Sequence, residues 1–137
     1  MRFYLDTSVF GGFYDPEFSA DTAQLFEEIV KSKIKVVYSY LTQKELEGAP
    51  PKVKKLLGRN PDGCLVSVGV DEEANDLANI YVEEGVLTKK CISDAQHIAI
   101  ATIQGVNTLV SWNFRHMVNF FRVQQYNSIN LRCGYRI

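Results

Sequence analysis

RFYLDTS, the segment at residues 2–8, joins a short apolar run to an aspartate and two hydroxyl residues. An apolar run of this length, bounded at once by polar residues, is typical of a strand buried on both faces of a parallel sheet. Asp6 then follows the carboxyl end of the strand, at the edge where open α/β sheets form their sites. The segment therefore predicts an α/β fold with a polar site at one edge of its sheet.

The remainder of the chain alternates predicted helices and strands. After the first strand, further strands are expected at residues 34–38, 64–68 and 108–110, and helices at about residues 20–32, 42–48, 71–84 and 93–104. Turns are expected at residues 60–63 and, with a basic character, at 52–57. From residue 114 onward the sequence predicts irregular structure with one late strand around Ile129 to Leu131. The alternation predicts a single three-layer α/β/α domain over residues 1–137, with a mostly parallel central sheet.

Hydroxyl residues and glycines give the expected helix boundaries. Ser19, Thr42 and Ser93 are expected to be N-caps, because a hydroxyl oxygen accepts a hydrogen bond from the first turn. Gly85 and Gly105 are expected to end the helices that precede them. These assignments give the expected boundary between each helix and the loop beside it.

Composition indicates an ordinary globular chain. Of its 137 residues, 46% are hydrophobic and 23% are charged, which matches a soluble domain. No apolar run approaches the roughly 20 residues that cross a bilayer, and the first residues predict a strand and not a signal peptide. The three cysteines are far apart, without zinc-type spacing, and are expected to be buried thiols. We therefore expect a cytoplasmic protein that does not bind membranes.

The formal net charge of −1 excludes a chain that is basic overall. Its distribution is uneven, since residues 31–60 hold eight Lys or Arg against two acids, and residues 71–84 hold six acids and no base. Such blocks are often solvated helix faces. They also permit a basic rim beside an acidic pocket, which weakly favours a phosphate-bearing partner.

Four polar residues are candidates for chemistry, and each has a structural alternative. Asp6 could cap the turn after its strand. Glu45 stands three residues after Thr42, as in a capping box. Asp94 at a helix start gains from the helix dipole, and Asn113 is a common turn residue.

Taken together, these four residues predict a metal site. Asp6 and Asn113 each follow a strand, Glu45 lies one helical turn beyond another, and Asp94 begins the helix that leads into the last strand. Carboxylates held close repel one another, and a divalent cation removes that conflict. The oxygen ligands favour Mg²⁺ or Mn²⁺, and the absence of His or Cys pairs argues against zinc.

Four motifs, in this order, resemble the PIN domain, and in particular the single-domain toxins of VapBC toxin–antitoxin pairs. They are YLDTS at residues 4–8, TQKEL at 42–46, SDAQHIAIA at 93–101 and LVSWNFRH at 109–116. Each motif is weak alone, and the ordered set is fairly specific. The resemblance covers the whole chain up to His116.

The resemblance implies a metal-dependent endoribonuclease that leaves a 5′-phosphate. Asp6, Glu45 and Asp94 match the acidic metal ligands, and Asn113 stands where a fourth acid is common, which puts a second metal in doubt. The residues expected to support the site are Thr7, Ser8, Ser111 and His116. The implied partners are an RNA substrate, an antitoxin and a second copy of the chain in a homodimer.

RNA contacts are expected from Arg115 and Trp112, because arginine pairs with phosphate and indole stacks on bases. Packing in the core or in a dimer is the alternative for Trp112 and for the aromatic residues that follow it. His97 shares a helix face with Asp94, where a local hydrogen bond is the simpler expectation.

Two other functions compete with a nuclease. One is a PIN-fold module that binds RNA or metal and cleaves poorly, which the neutral Asn113 favours. The other is a phosphatase that uses Asp6 as a covalent nucleophile. Enzymes of the haloacid-dehalogenase type place a second aspartate two residues later, where this chain has Ser8, so this alternative is disfavoured.

Overall fold

The computed structural model describes residues 1–52 and 64–135. Its strands are β1 (Arg2–Leu5), β2 (Lys35–Ser39), β3 (Leu65–Val68) and β4 (Thr108–Val110). Its α-helices with described bounds are α1 (Thr7–Gly11), α2 (Ser19–Lys31), α3 (Tyr40–Leu46), α4 (Glu72–Glu83), α5 (Ile92–Ile103) and α6 (Phe120–Arg132). The turn expected at residues 60–63 and nearly all of the basic turn expected at 52–57 lie outside the described residues.

The four strands form one parallel sheet in the order β3-β2-β1-β4. Tyr4 of β1 stands opposite Val37 of β2 on one side and Leu109 of β4 on the other. Tyr4 and Leu5 are completely buried, as a strand in the interior of a parallel sheet requires. The predicted mixed α/β class with a parallel sheet is confirmed.

The chain divides into two compact units. The first comprises Met1–Gly69 and Val106–Trp112, and it holds the sheet with α1, α2 and α3. The second comprises Val70–Gly105 and Asn113–Ile137, and it holds α4, α5 and α6. The assignment of the chain to a single domain stays a prediction.

The core of the first unit lies between its helices and the sheet. Its fully or almost fully buried members are Leu5, Val9, Phe10, Ile29, Ile34, Val36, Tyr38 and Leu46. The ring of Phe10 meets those of Phe26 and Tyr38 edge-on, with centroids 6.2 and 6.5 Å away. Edge-to-face pairs of this kind stabilise a core beyond the area that they bury.

The second unit is held by helix packing and a buried polar contact. Leu77, Ala78 and Tyr81 on α4 are almost fully buried. The ring of Tyr81 packs edge-on against Tyr126 of α6, with centroids 5.0 Å apart. The Tyr81 hydroxyl donates a hydrogen bond to Asn130, so the buried phenol has the partner that it needs.

The expected cap at Thr42 is wrong by three residues. Ser39, the last residue of β2, caps α3, and its Oγ accepts the backbone N–H of Thr42 while Thr42 Oγ1 accepts the N–H of Ser39. The strand passes directly into the helix, so the capping box pairs Ser39 with Thr42. Glu45 therefore lies inside the helix, three residues after Thr42, and is not a member of this capping box.

Two other expected caps are also wrong. Ser19 is the first residue of α2, after Phe18 at the N-cap position. Ser93 is the second residue of α5, because a 3₁₀ turn at Lys89–Cys91 runs directly into the helix. Neither helix has a side-chain hydrogen bond at its N-cap residue.

The late strand expected around Ile129 to Leu131 is wrong, since this segment lies in α6. Asn119 begins the helix, and its Oδ1 accepts the N–H groups of Phe121 and Arg122. The buried residues Tyr126, Ile129 and Asn130 have helical spacing. A short apolar–polar–apolar alternation was thus outweighed by a strong cap and a 3.6-residue period.

Gly85 and Gly105 follow the helices that they were expected to end. Their φ angles are +79° and +63°, a left-handed conformation that glycine adopts without a steric penalty. None of the helices within the described residues is long and apolar enough to span a bilayer.

Gly12 has no room for a side chain. A Cβ at this position would lie 2.8 Å from Nε1 of Trp112 and closer still to Oγ1 of Thr22, and those two atoms share a 3.0 Å hydrogen bond. We expect Gly12→Ala to lower the free energy of unfolding by about 1–3 kcal/mol, the usual cost of overpacking. Urea denaturation measures the change.

Gly11 provides the matched control. Its φ is −66°, and a Cβ there would meet no atom within 4 Å. Gly11→Ala should leave stability unchanged or raise it by about 0.4–1 kcal/mol. Equal losses from both substitutions would contradict the close packing described for Gly12.

Candidate active site

The carboxylate of Asp6 is buried at the carboxyl end of β1 and is held by two hydroxyl groups. Its side chain is only 4% exposed. Ser8 Oγ donates to Oδ1 at 2.6 Å and Ser111 Oγ donates to Oδ2 at 2.8 Å. Asp6 stands at the N-cap position of α1 but makes no side-chain cap hydrogen bond. The capping alternative for Asp6 is therefore wrong.

Asp6 also lies where the strand order of the sheet reverses. From β1 the chain adds β2 and then β3 on one side, and β4 pairs on the other side. Asp6 follows β1, and Ser111 follows β4. In open parallel sheets, ligands bind in the crevice outside the carboxyl ends of strands at such a switch point.

Ser8, the second residue of α1, connects the start of that helix to the loop after β4. Its Oγ accepts the backbone N–H of Trp112 at 3.0 Å and lies 3.4 Å from Oγ of Ser111. The helix start and the loop are thereby fixed to each other around the Asp6 carboxylate. The supporting role predicted for Ser8 and Ser111 thus has a geometric basis in the first unit.

Glu45 approaches the same end of the sheet from α3. Thr7 Oγ1 donates to Glu45 Oε1 at 2.9 Å, which connects the first residue of α1 to α3. Glu45 is exposed, in contrast to Asp6. The first unit therefore offers one buried and one exposed carboxylate, each oriented by a hydroxyl donor.

Asp94 is the third residue of α5, in the second unit. Its Oδ2 lies 3.3 Å from Nδ1 of His116 and accepts a 3.4 Å hydrogen bond from Nδ2 of Asn113. Oδ1 of Asn113 accepts the backbone N–H of His116 at 3.1 Å. Asn113 is therefore a turn residue that also orients Asp94, and its carbonyl oxygen is already in use within the loop.

The predicted site residues thus fall into two groups. Asp6, Ser8 and Ser111, together with the Thr7–Glu45 pair, belong to the first unit. Asp94, Asn113 and His116 belong to the second unit. That both groups serve one catalytic centre stays a prediction.

Cys91 is a site residue that sequence reasoning missed. Its Sγ lies 3.7 Å from Nδ1 of His116, and ligand atoms of Cys91, Asp94 and His116 all lie within 4.8 Å of one another. Cys91 and Cys64 are partly exposed and Cys133 is exposed, so the expectation of buried thiols is wrong. Twenty-five residues separate Cys91 from His116, and no local spacing signals the contact.

The remaining candidates, Trp112, Arg115 and His97, have different environments. The Trp112 ring stacks on Phe18, with centroids 5.5 Å apart and an interplanar angle of 4°, which is the packing alternative. Arg115 is exposed, as an RNA contact requires. His97 is buried on α5, and its hydrogen bond to Asp94 stays a prediction.

The Tyr4 hydroxyl lies beneath this edge of the sheet, 2.9 Å from Oγ of Ser39. Burial raises the pKa of Tyr4 to about 12. The hydrogen bonds to Ser39 and Thr42 oppose that rise, and the negative charges of Asp6 and Glu45 add to it. Tyr4 is therefore neutral at physiological pH and acts here as a hydrogen-bonding group.

Comparison of the chain with protein-family models gave no match, and comparison with curated proteins gave none either. The resemblance to PIN domains therefore stays a prediction from the four ordered motifs.

The raised pKa of Tyr4 predicts a loss of stability in alkaline solution. An unfolded tyrosine ionises near pH 10, and folded Tyr4 ionises near 12, so its contribution is complete below pH 10 and disappears between pH 10 and 12. By pH 11 the loss is about 1.4 kcal/mol. Urea denaturation of the wild type and of Tyr4→Phe at about pH 8 and 11 measures the contribution of Tyr4 to the free energy of unfolding.

Tyr40→Phe is the control, because it removes the same hydroxyl group from a side chain that is 57% exposed. We expect the stability of the wild type, relative to Tyr4→Phe, to fall between the two pH values. A constant difference between these two proteins would show that Tyr4 ionises normally.

Proposed function

We propose that the protein is a metal-dependent endoribonuclease that uses Mg²⁺ or Mn²⁺, and that it is the toxin of a toxin–antitoxin pair. One observation carries the proposal: Asp6, 4% exposed, accepts hydroxyl hydrogen bonds at the point where the strand order reverses. Burial of a carboxylate costs free energy that hydrogen bonds only offset. An apolar residue at this position would avoid that cost. The ordered PIN-like motifs supply the class of reaction.

The donor groups of the first unit suit a hard cation. Asp6, Glu45 and the neighbouring hydroxyl groups of Ser8 and Ser111 offer oxygen atoms only, and Mg²⁺ is bound through one or two carboxylates and water. Asp6 and Glu45 would hold the ion, with Asp94 as the third acid. Ser111, which contacts Asp6, and Asn113, which contacts Asp94, are separated in the sequence by Trp112 alone.

The reaction would be hydrolysis of an RNA phosphodiester bond by water. When bound, the ion lowers the pKa of that water and stabilises charge on the phosphate and on the departing sugar oxygen. Ser8 and Ser111 keep the Asp6 carboxylate in one orientation. Asp94 would orient the water and accept its proton, while Asn113 and His116 fix the carboxylate of Asp94. Arg115, which is exposed, would contact the RNA backbone.

The proposed partners have a surface available on α6. Phe120 is 68% exposed, Phe121 is 72% exposed and Leu131 is 64% exposed. Contact with another protein would remove these apolar side chains from water, which is favourable. We propose that a second copy of the chain or the antitoxin uses this helix, in the cytoplasm.

Substitution of either proposed metal ligand should abolish cleavage. We expect Asp6→Asn and Asp94→Asn to reduce Mg²⁺-dependent cleavage of a mixed RNA pool by more than about 100-fold, because even outer partners of a metal site contribute about 10–100-fold. Gel analysis with Mg²⁺, with Mn²⁺ and with a chelator measures the rate.

Asp21→Asn is the matched control, since Asp21 is exposed in the first turn of α2. Its cleavage rate should equal that of the wild type. Cleavage that survives in Asp6→Asn and Asp94→Asn, or in the chelator, would come from a contaminating ribonuclease and would contradict the proposal. Folding of each variant is checked by circular dichroism.

A second candidate function is an RNA- or metal-binding module that cleaves poorly. Asn113 favours it, since the residue is neutral and its Oδ1 accepts the N–H of His116. An aspartate would keep that acceptor, so Asn113→Asp should leave the turn intact. Because we place Asn113 in a positioning role, we expect the substitution to change the cleavage rate less than about tenfold.

Asn113→Ala is the control for Asn113→Asp, because it removes both the turn acceptor and the contact with Asp94. The cleavage assay is the same. A gain of about 100-fold or more in Asn113→Asp alone would show that the natural site lacks a needed acid. The poorly cleaving module would then be the better description.

A further inference from the structure

Cys91, Asp94 and His116 converge at the start of α5. Nδ1 of His116 lies 3.7 Å from Sγ of Cys91 and 3.3 Å from Oδ2 of Asp94, and the sulfur and carboxylate atoms lie within 4.8 Å of each other. All three residues are partly exposed. The cluster therefore combines a thiol, an imidazole and a carboxylate within reach of solvent.

These separations are close to the edges of a tetrahedron around zinc. With Zn–N and Zn–O distances of about 2.0 Å and Zn–S of about 2.3 Å, tetrahedral geometry places N and O about 3.3 Å apart and N and S about 3.5 Å apart. The separations of 3.3 and 3.7 Å in the protein lie within about 0.2 Å of these values. Small side-chain rotations would complete the three-residue arrangement, with water as a fourth ligand.

Each of the three residues is held by a neighbour outside the cluster. Thr88 Oγ1 donates to the sulfur of Cys91 at 3.8 Å, and the Asn113 amide donates to Asp94. Tyr126 donates from its hydroxyl to the backbone oxygen of His116 at 2.8 Å. Outer partners that fix the orientation of ligands are typical of metal sites.

The start of α5 brings two of the three side chains together. Cys91 is the N-cap residue of α5 and Asp94 is its third residue. Sulfur, carboxylate oxygen and imidazole nitrogen are the donor types that protein zinc sites use.

We propose that Cys91, Asp94 and His116 form a binding site for a borderline transition-metal ion, Zn²⁺ above all. A thiolate with an imidazole selects such ions, and Mg²⁺ does not take sulfur ligands. Of its three ligands, only Asp94 is also one of the acids proposed for the Mg²⁺ centre. It lies entirely within the second unit.

The site also implies a form of control, which rests on the proposed function. Asp94 is the third acid of the proposed Mg²⁺ centre, and the same carboxylate would bind Zn²⁺ together with Cys91 and His116. Zn²⁺ therefore inhibits cleavage by withdrawing Asp94 from the reaction. Binding of Zn²⁺ and inhibition by Zn²⁺ are measured separately, so either can fail alone.

Binding is tested first with Co²⁺, which replaces Zn²⁺ in tetrahedral sites and reports a thiolate ligand by a near-ultraviolet charge-transfer band. The purified full chain should show this band at one equivalent of Co²⁺, and Zn²⁺ should displace it. We expect Cys91→Ser to abolish the band and to weaken Zn²⁺ binding in calorimetry by more than about 100-fold. Thr88→Val should weaken Zn²⁺ binding about tenfold.

Cys133→Ser and Cys64→Ser are the matched controls, since each removes one thiol outside the cluster. Both should retain the band and the affinity of the wild type. A band that persists in Cys91→Ser, or a wild type that binds neither ion, would overturn the proposal. If Cys91→Ser does not fold, alkylation of the wild type decides: Zn²⁺ should protect Cys91, and equal alkylation with and without Zn²⁺ would overturn the site.

Inhibition is then tested in the RNA cleavage assay with saturating Mg²⁺ and increasing Zn²⁺. The wild type should lose activity at the Zn²⁺ concentration that fills the site, and Cys91→Ser should need a concentration more than about 100-fold higher. Equal inhibition of both proteins would overturn the control by Zn²⁺ while leaving the binding site intact. Absence of cleavage in every lane would count against the proposed function alone.

Discussion

An aspartate in the interior of a protein loses its hydration, and the cost is several kcal/mol unless hydrogen-bond donors replace the water. Asp6 meets this condition with hydroxyl groups from Ser8 and Ser111. Ser8 lies in α1, which follows β1, and Ser111 follows the neighbouring strand β4, so β1 and β4 must pair in register for the carboxylate to be tolerated. The backbone N–H of Asp6 also donates to the carbonyl of Val110. The parallel sheet and the arrangement around Asp6 therefore depend on each other.

The second unit uses a different device to position its polar residues. The 3₁₀ turn at Lys89–Cys91 continues directly into α5, so the sulfur of Cys91 and the carboxylate of Asp94 lie beside the same helix start. His116 arrives from the loop before α6, where Tyr126 and Asn113 hold its backbone. The two units thus present chemically different donors, hydroxyl and carboxylate oxygens in one and a mixed sulfur, nitrogen and oxygen set in the other.

The sequence was sufficient for features that depend on local pattern. The apolar run before Asp6, the β-branched residues of β2 and the glycines after α4 and α5 all gave correct elements. It was insufficient where a neighbouring element changed the boundary, as at Ser39, where the strand passes into α3 without a loop. It also failed for residues 129–131, because the cap at Asn119 lies ten residues upstream and outweighs a three-residue alternation of apolar and polar side chains. Contacts between distant positions, such as Cys91 with His116, have no signature in one sequence.

The pairing of Asp6 with Ser111 has a consequence for the order in which the molecule forms. The two residues are 105 positions apart, and a ribosome makes β1 long before β4. Until β4 emerges, the Asp6 carboxylate has neither the Ser111 hydroxyl nor the neighbouring strand that accepts its backbone N–H, and it stays hydrated. Long-range parallel pairing is also slow to form, because chain entropy is lost before the contacts are gained. The polar centre of the first unit thus cannot form during synthesis until β4 and Ser111 have been made.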